Sequence, residues 1–460
     1  MTVPMWDDAG ALGAAMAAGA FSARELTESC LARIATHNPA VNAFTHVHAE
    51  QARAQADESD RRRAQGGTRG PLDGIPVAVK DNIAVAGMPF TAGMAARRDT
   101  IAGEDAVCAA KLRQAGCVFL GTLNMEEAAL GATTDNPHYG ATHNPHRHDY
   151  SPAGSSGGSG AAVASGLCAG ALGTDTLGSV RLPAAYCGVA GLKPGPGRVS
   201  PRGLVPLSFR FDHVGPLARS VRDLGLFLDA LAGFDPEWAD SRATPQAGFD
   251  PGDSPGIGGM TLGVLDGFAG IAVDADVEVA FSSALDILIA RGAGLRTVTL
   301  GGIEVGQMRR AGLLITVVEG AFVHAGRLKD NGSLSPQAAS MLEFGRSVAS
   351  AKLIETERRI DTLRVVLRQA FEGLDAIVTP AAPQAAFAFS EGAPDNQADF
   401  TALANLYGAP AVSVPMGMTP DRLPLGLQVL TPAGEDARAL RIARAFEREA
   451  GLDMRPEALL

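Results

Sequence analysis

"SPAGSSGGSGAAVASGLCAGALGTDTLGSVRLPAAYCG" occupies residues 151–188. Serines 155, 156 and 159 stand among glycines, and the stretch runs straight into "GAAVASG", a helix of small residues. "LCAGALG" follows as a buried strand that stops at "GTDT". The chain then turns through Leu177 and Gly178 and meets Ser179 ahead of the helical turn "LPAAYCG". Helix, strand and helix in so few residues predict a layered α/β fold. Dense glycine lets the backbone approach other groups closely and take angles other residues avoid. A phosphate-cradling loop would need a Gly-Lys pair, and this stretch has no lysine. Successive N–H groups around residues 176–179 point one way, a ready oxyanion site, which makes Ser179 a nucleophile candidate. The same position also suits a plain helix cap.

Upstream, "GIPVAVKDNI" (residues 74–83) reads as a buried strand ending in Lys80. The chain has five lysines, at 80, 111, 193, 329 and 352, so one at the end of an apolar run is conspicuous. Such a lysine either snorkels its ammonium to water or is buried and neutral, able to accept a proton. Burial lowers a lysine pKa from about 10.4 by as much as ~3–5 units.

The wider composition narrows the function. Over 460 residues, 46% are hydrophobic and 19% charged, enough for a large core. The net charge of −11 argues against a nucleic-acid surface. "RRRAQGGTRG" (61–70) is the one dense basic stretch and reads as a solvated loop after a helix. Cysteines 30, 108, 117, 168 and 187 are odd in number, widely spaced and in apolar company, so they read as free buried thiols in a reducing compartment. "MTVPMWDDAG" is wrong for a signal peptide, and no apolar run is long enough to span a membrane. A cytoplasmic protein is expected.

Helices and strands alternate along the whole chain. Ser22 and Glu25 form a capping box before the first periodic helix. "NMEEAALG" reads as a short helix, 138–160 as loop, 233–259 as a long surface loop, and about 303–372 as a long helical region. The pattern predicts one large α/β/α sandwich around a central mixed sheet, with residues 1–460 as a single domain. Its catalytic core is placed at about 70–220 and a variable pocket region at about 300–400.

Ser179 needs a base. No G-x-S-x-G elbow surrounds it. Histidines 138, 143, 146 and 148 cluster in a Pro-rich loop, with spacings that fit neither a helix face nor a zinc motif. The lysine supplies another answer. "GIPVAVKDN", "GSSGGSGAAVASG" and "GTDTLGSVRLPAAYCGVAGLKP", in that order, resemble the amidase signature family. Residues 121–145, 212–233, 407–417, 423–430 and the last helix resemble it too. That resemblance implies a Ser–cis-Ser–Lys triad: Ser179 as nucleophile, Ser155 as bridge with a cis peptide after Gly154, and Lys80 as base. It implies an oxyanion hole from the amides of Thr176, Leu177, Gly178 and Ser179. Ser156, Asp175 and Arg181 fall at supporting positions. No metal or cofactor is implied.

Two residues depart from the family pattern. Leu177 and Ala153 stand where the family usually has glycine, and Leu177 lies inside the proposed oxyanion hole. The leading expectation is an amide hydrolase acting on a small aryl or alkyl carboxamide, because "GLLITVVEGAF" (312–322) and "PAAPQAAFAF" (380–389) are apolar. Pocket walls are expected around residues 125–130 and 301–400, with Arg309 and Arg310 as anion holders should the substrate be charged. The alternative is the glutaminase subunit of a tRNA-dependent amidotransferase, and a third reading is a catalytically silent scaffold. The expected partner is a small-molecule amide, with no nucleic acid or membrane, and with homodimer formation left open.

Overall fold

Strand β2 (Pro76–Lys80) is buried along its whole length, as a parallel strand covered on both faces must be. The structure, a computed structural model, describes residues 3–243, 248–253, 255–329 and 333–459. The other strands are β1 (Phe44–Val47), β3 (Val118–Leu123), the short ribbon β4 (Asp135–Asn136) and β5 (Gly140–Ala141), β6 (Gly170–Asp175), β7 (Ala190–Lys193), β8 (His213–Ala218), β9 (Thr261–Leu265), β10 (Gly294–Val298), β11 (Ala376–Pro380), β12 (Ala411–Met418) and β13 (Pro424–Leu430). Apart from the ribbon they form one eleven-stranded sheet in the order β1-β3-β2-β6-β8-β7-β12-β13-β11-β9-β10. β2 runs parallel to both β3 and β6, whereas β6–β8, β7–β12 and β12–β13 are antiparallel. The sheet is therefore mixed, as expected.

The helices are α1 (Ala9–Ala17), α2 (Ala23–Val41), α3 (Ala49–Ala64), α4 (Val107–Gln114), α5 (Gly157–Ala164), α6 (Arg181–Cys187), α7 (Val221–Leu231), α8 (Ala275–Ala290), α9 (Val305–Val323), α10 (Pro336–Ser347), α11 (Ser350–Ala370), α12 (Asp399–Tyr407) and α13 (Asp436–Ala450). The Ser22–Glu25 capping box opens α2. One apolar core gathers around α5, α7 and α13, for example Val163, Leu228 and Phe446. A second joins α9, α11 and α12 through Ile315, Leu363 and Leu403.

Local readings differ from the structure at four places. The stretch 138–160, expected as loop, holds β5 and the first turn of α5. "NMEEAALG" forms only a 3-10 turn over Glu127–Ala129, because Ala128 takes a positive φ of 52° and its amide bonds to Ala92. Tertiary hydrogen bonds win there over helix propensity. The basic stretch at 61–70 begins inside α3, and Arg62 and Arg63 turn back onto Asp73 rather than into solvent. The long helical region divides into α9, α10 and α11, and residues 330–332 between them lie outside the described residues. Residues 244–247 and 254 of the expected surface loop are likewise outside.

Candidate active site

The parallel register of β2 and β6 sets Val79 opposite Leu172, so both strands end at the same edge of the sheet. That edge is where open α/β sheets place their ligands. Lys80 closes β2, and Thr174 and Asp175 close β6. Lys80 Nζ donates to Thr174 Oγ1 at 2.8 Å and to Ser155 Oγ at 2.7 Å. The side chain is fully buried. Burial pushes its pKa down to about 7, partly opposed by the carboxylates of Asp212, Asp175 and Glu126. The snorkelling reading is therefore excluded: this amine has no route to water and faces hydroxyls.

Ser155 reaches Lys80 from the glycine-serine stretch, and the Gly154–Ser155 peptide is cis. Helix α5 behind it is buried at every residue. Its serines fasten it to β6. Ser156 Oγ donates to the Thr174 carbonyl (3.1 Å), and Ser159 Oγ donates to the Leu172 carbonyl (3.1 Å). Gly158 is required here, because a Cβ would meet the backbone nitrogen of Asn124 at 2.7 Å.

Ser179 sits between β6 and α6, half-buried. With Gly154, Thr176, Leu177 and Gly178 it lines a cavity of about 200 Å³. Among the described residues, Ser179 Oγ makes no hydrogen bond within the chain, so it faces the cavity unengaged. Gly178 has φ +139, and a Cβ there would run into the hydroxyl of Thr401. The turn is held from below by Asp175. Its carboxylate accepts from the amides of Gly178 (2.9 Å), Val180 (3.1 Å) and Arg181 (3.4 Å). The four-amide oxyanion expectation is thereby narrowed: the Gly178 N–H is already engaged by Asp175. Among the described residues, the amides of Leu177 and Ser179 make no bond within the protein.

Asp175 and Arg181 are both fully buried and paired. Burial alone would raise the Asp175 pKa, but Arg181 holds it well below the usual carboxylate range. The guanidinium also donates to the Thr401 carbonyl (2.7 Å), Gln428 Oε1 (2.6 Å) and Asn405 Oδ1 (2.6 Å). Every donor is thus aimed at an acceptor from β6, α12 or β13, which fixes the Ser179 turn to distant parts of the chain. Asp212 completes the surround: it accepts from Thr176 Oγ1 at 2.6 Å, and burial raises its pKa.

The rest of the cavity is largely apolar, with Leu130, Leu182, Leu207, Leu313 and Met341 on its walls. Arg309 is the charged residue in the lining. Its Nε donates to Asp399 Oδ1 at 2.6 Å, and both side chains are at most 14% exposed. Arg310 lines a separate surface groove with Lys352 and Arg359. The histidine cluster contributes nothing to this cavity. His138 bonds Glu127, His146 bonds the Cys187 carbonyl, and His143 stacks on His148. Their rings stack at 3.8 Å and 11°, and together with a carboxylate oxygen of the exposed Asp149 their ligand atoms lie within 4.8 Å of one another.

Sequence reading missed Thr174, Asp212, Asp399, Asn405 and Gln428. Thr174, Asp212 and Gln428 stand in stretches that carry the family resemblance, but nothing local marks their partners; Asp399 and Asn405 lie outside those stretches.

The family model described as Amidase matches residues 25–440. The chain is 37% identical to a glutamyl-tRNA(Gln) amidotransferase subunit from Anaeromyxobacter dehalogenans (strain 2CP-C), over 95% of each chain. It superposes with a TM-score of 0.90 and 34% identity on a structure described as a vestigial protein complex revealing the origins of an s-triazine catabolic enzyme, covering 96% of this chain and 98% of that one. Native peptide amidase from Stenotrophomonas maltophilia matches with a TM-score of 0.86 and 30% identity, over 98% of each chain.

Proposed function

This chain belongs to the amidase family, and on that premise we propose that it hydrolyses the carboxamide of a small substrate through an acyl-enzyme on Ser179. The observation that carries the reading is the fully buried Lys80, hydrogen-bonded to Ser155 beside the cavity that Ser179 lines. Neutral Lys80 takes a proton from Ser155 as Ser155 takes one from Ser179. Ser179 Oγ attacks the amide carbon, and the amides of Leu177 and Ser179, with Thr176, hold the oxyanion. The proton returns by the same relay to the departing amine, and water then releases the acid.

Glutamine is the carboxamide we favour. A short apolar cavity suits its methylenes, and Arg309 on the wall, bonded to Asp399, can meet its carboxylate. The similarity to an amidotransferase component supports the same reading, and with it action in a complex with partner proteins. The apolar lining supports a second reading, a stand-alone hydrolase of aryl or alkyl carboxamides. Ammonia release separates them: glutamine should outrun benzamide and butyramide at equal concentration. Turnover of benzamide or butyramide with glutamine inert would transfer the assignment to the stand-alone reading.

We also take residues 1–460 as one amidase domain, since the sheet draws strands from residue 44 to residue 430. The described cysteines are all buried and unpaired, which supports a reducing, cytoplasmic setting. No helix among the described residues is long and apolar enough to cross a membrane.

A further inference from the structure

Leu177 interrupts the small-residue turn beside Ser179, and the structure shows what accommodates it. On α9, Arg309, Leu313 and Thr316 face the cavity at helical spacing. Gly312 shares that face but leaves a gap. A Cβ on Gly312 would lie 3.0 Å from Leu177 Cδ2 and 2.8 Å from Leu406 Cδ2. The Leu177 side chain therefore fills the space that a residue on α9 would otherwise occupy. Its carbonyl is fixed by Thr401 Oγ1 at 2.8 Å, so the residue is held at both ends. It packs on the core shared by α9, α11 and α12 while still lining the cavity.

We propose that Leu177 and Gly312 form a complementary pair that sets the size of acyl group Ser179 accepts. Leu177 closes the cavity on the α9 side, restricting it to slender, unbranched acyl chains. Gly312 keeps Leu177 drawn back far enough for those chains to enter. Truncating Leu177 adds the space its side chain fills beside Gly312 to the cavity and admits a ring. A methyl on Gly312 drives Leu177 toward Ser179 and narrows the site further. The inference rests on Ser179 as the nucleophile.

The test uses p-nitrophenyl acetate and p-nitrophenyl benzoate on the whole chain. In each, Ser179 Oγ bonds to the acyl carbon, p-nitrophenolate leaves, the serine proton passes to Lys80 through Ser155, and water then frees the acid. The readout is the benzoyl-to-acetyl ratio of kcat/KM, which a uniform loss of structure does not move. Leu177→Ala should raise that ratio roughly tenfold or more, the size expected for relieving a few buried methylenes. Gly312→Ala should lower it, and Leu177→Ala with Gly312→Ala should return it toward wild type. Should Gly312→Ala fail to fold, Leu177→Ala decides alone. A ratio within about twofold of wild type in Leu177→Ala, with Ser179→Ala inactive, overturns the pair while leaving the nucleophile in place. Ser179→Ala cleaving both esters at the wild-type rate removes the nucleophile, and the pair with it.

Discussion

Replacing Lys80 by Met should make the protein inactive and, below neutral pH, more stable. Lys80 is fully buried, and burial lowers its pKa from 10.5 to about 7. The gap is about three and a half pH units at about 1.4 kcal/mol each, so keeping the ammonium inside costs on the order of 5 kcal/mol at pH 6. Methionine has a similar shape and no charge to desolvate. It forfeits hydrogen bonds to Ser155 and Thr174, worth about 1 kcal/mol each and more if a hydroxyl is stranded. The net expectation is a gain of roughly 1–3 kcal/mol at pH 6. The sign with pH follows from proton counting. Between about 7 and 10.5 the unfolded lysine holds a proton that the folded one lacks, so wild-type stability rises with pH across that window. Below about 7 both forms are protonated and the cost is constant. Subtracting the variant isolates Lys80 from Lys193, which burial also lowers to about 7. Urea unfolding of both proteins from pH 6 to 10 measures the difference. It should be flat to about pH 7 and then move in favour of wild type by up to about 1.4 kcal/mol per pH unit. A difference that stays constant from pH 7 to 10 would refute the buried, neutralisable lysine.

Other expectations follow from the same geometry. The rate of acyl-enzyme formation should rise with pH through about 7 as Lys80 loses its proton, and a pH–rate profile peaking below 6 would contradict this base. Ser155→Ala removes the hydroxyl between Lys80 and Ser179, and kcat should fall roughly 10²–10⁴-fold with the fold intact by circular dichroism. Arg181→Met leaves Asp175 buried and unpaired, and should cost about 3–5 kcal/mol in urea unfolding. Arg309→Leu should raise KM for glutamine at least tenfold while leaving butyramide turnover within about twofold, since only glutamine offers a carboxylate.

The fold was legible where pattern and burial agree. β2 and β6 read as strands because both are continuous apolar or small-residue runs, and the parallel pairing that brings Lys80 to Thr174 followed once they were neighbours. β8 was harder to read: it carries Gly215 and Pro216, which argue against a central strand, yet it lies between β6 and β7. Spacing and resemblance nominate Lys80, Ser155 and Ser179, with Ser156, Asp175 and Arg181 as supports. The partners of Arg181 were not legible, because Asn405 and Gln428 meet it only through tertiary folding. The engagement of the Gly178 amide was not legible for a similar reason. A carboxylate three residues earlier takes that amide, and sequence order does not show which way Asp175 turns.

The central claim is that Ser179 is a competent nucleophile activated through Ser155 and Lys80. Intact mass after treatment with a fluorophosphonate tests it most directly, on wild type, Ser179→Ala and Lys80→Met. Wild type should carry one adduct, Ser179→Ala none, and Lys80→Met should label far more slowly. An adduct that persists on Ser179→Ala, or Lys80→Met labelling at the wild-type rate, would contradict it.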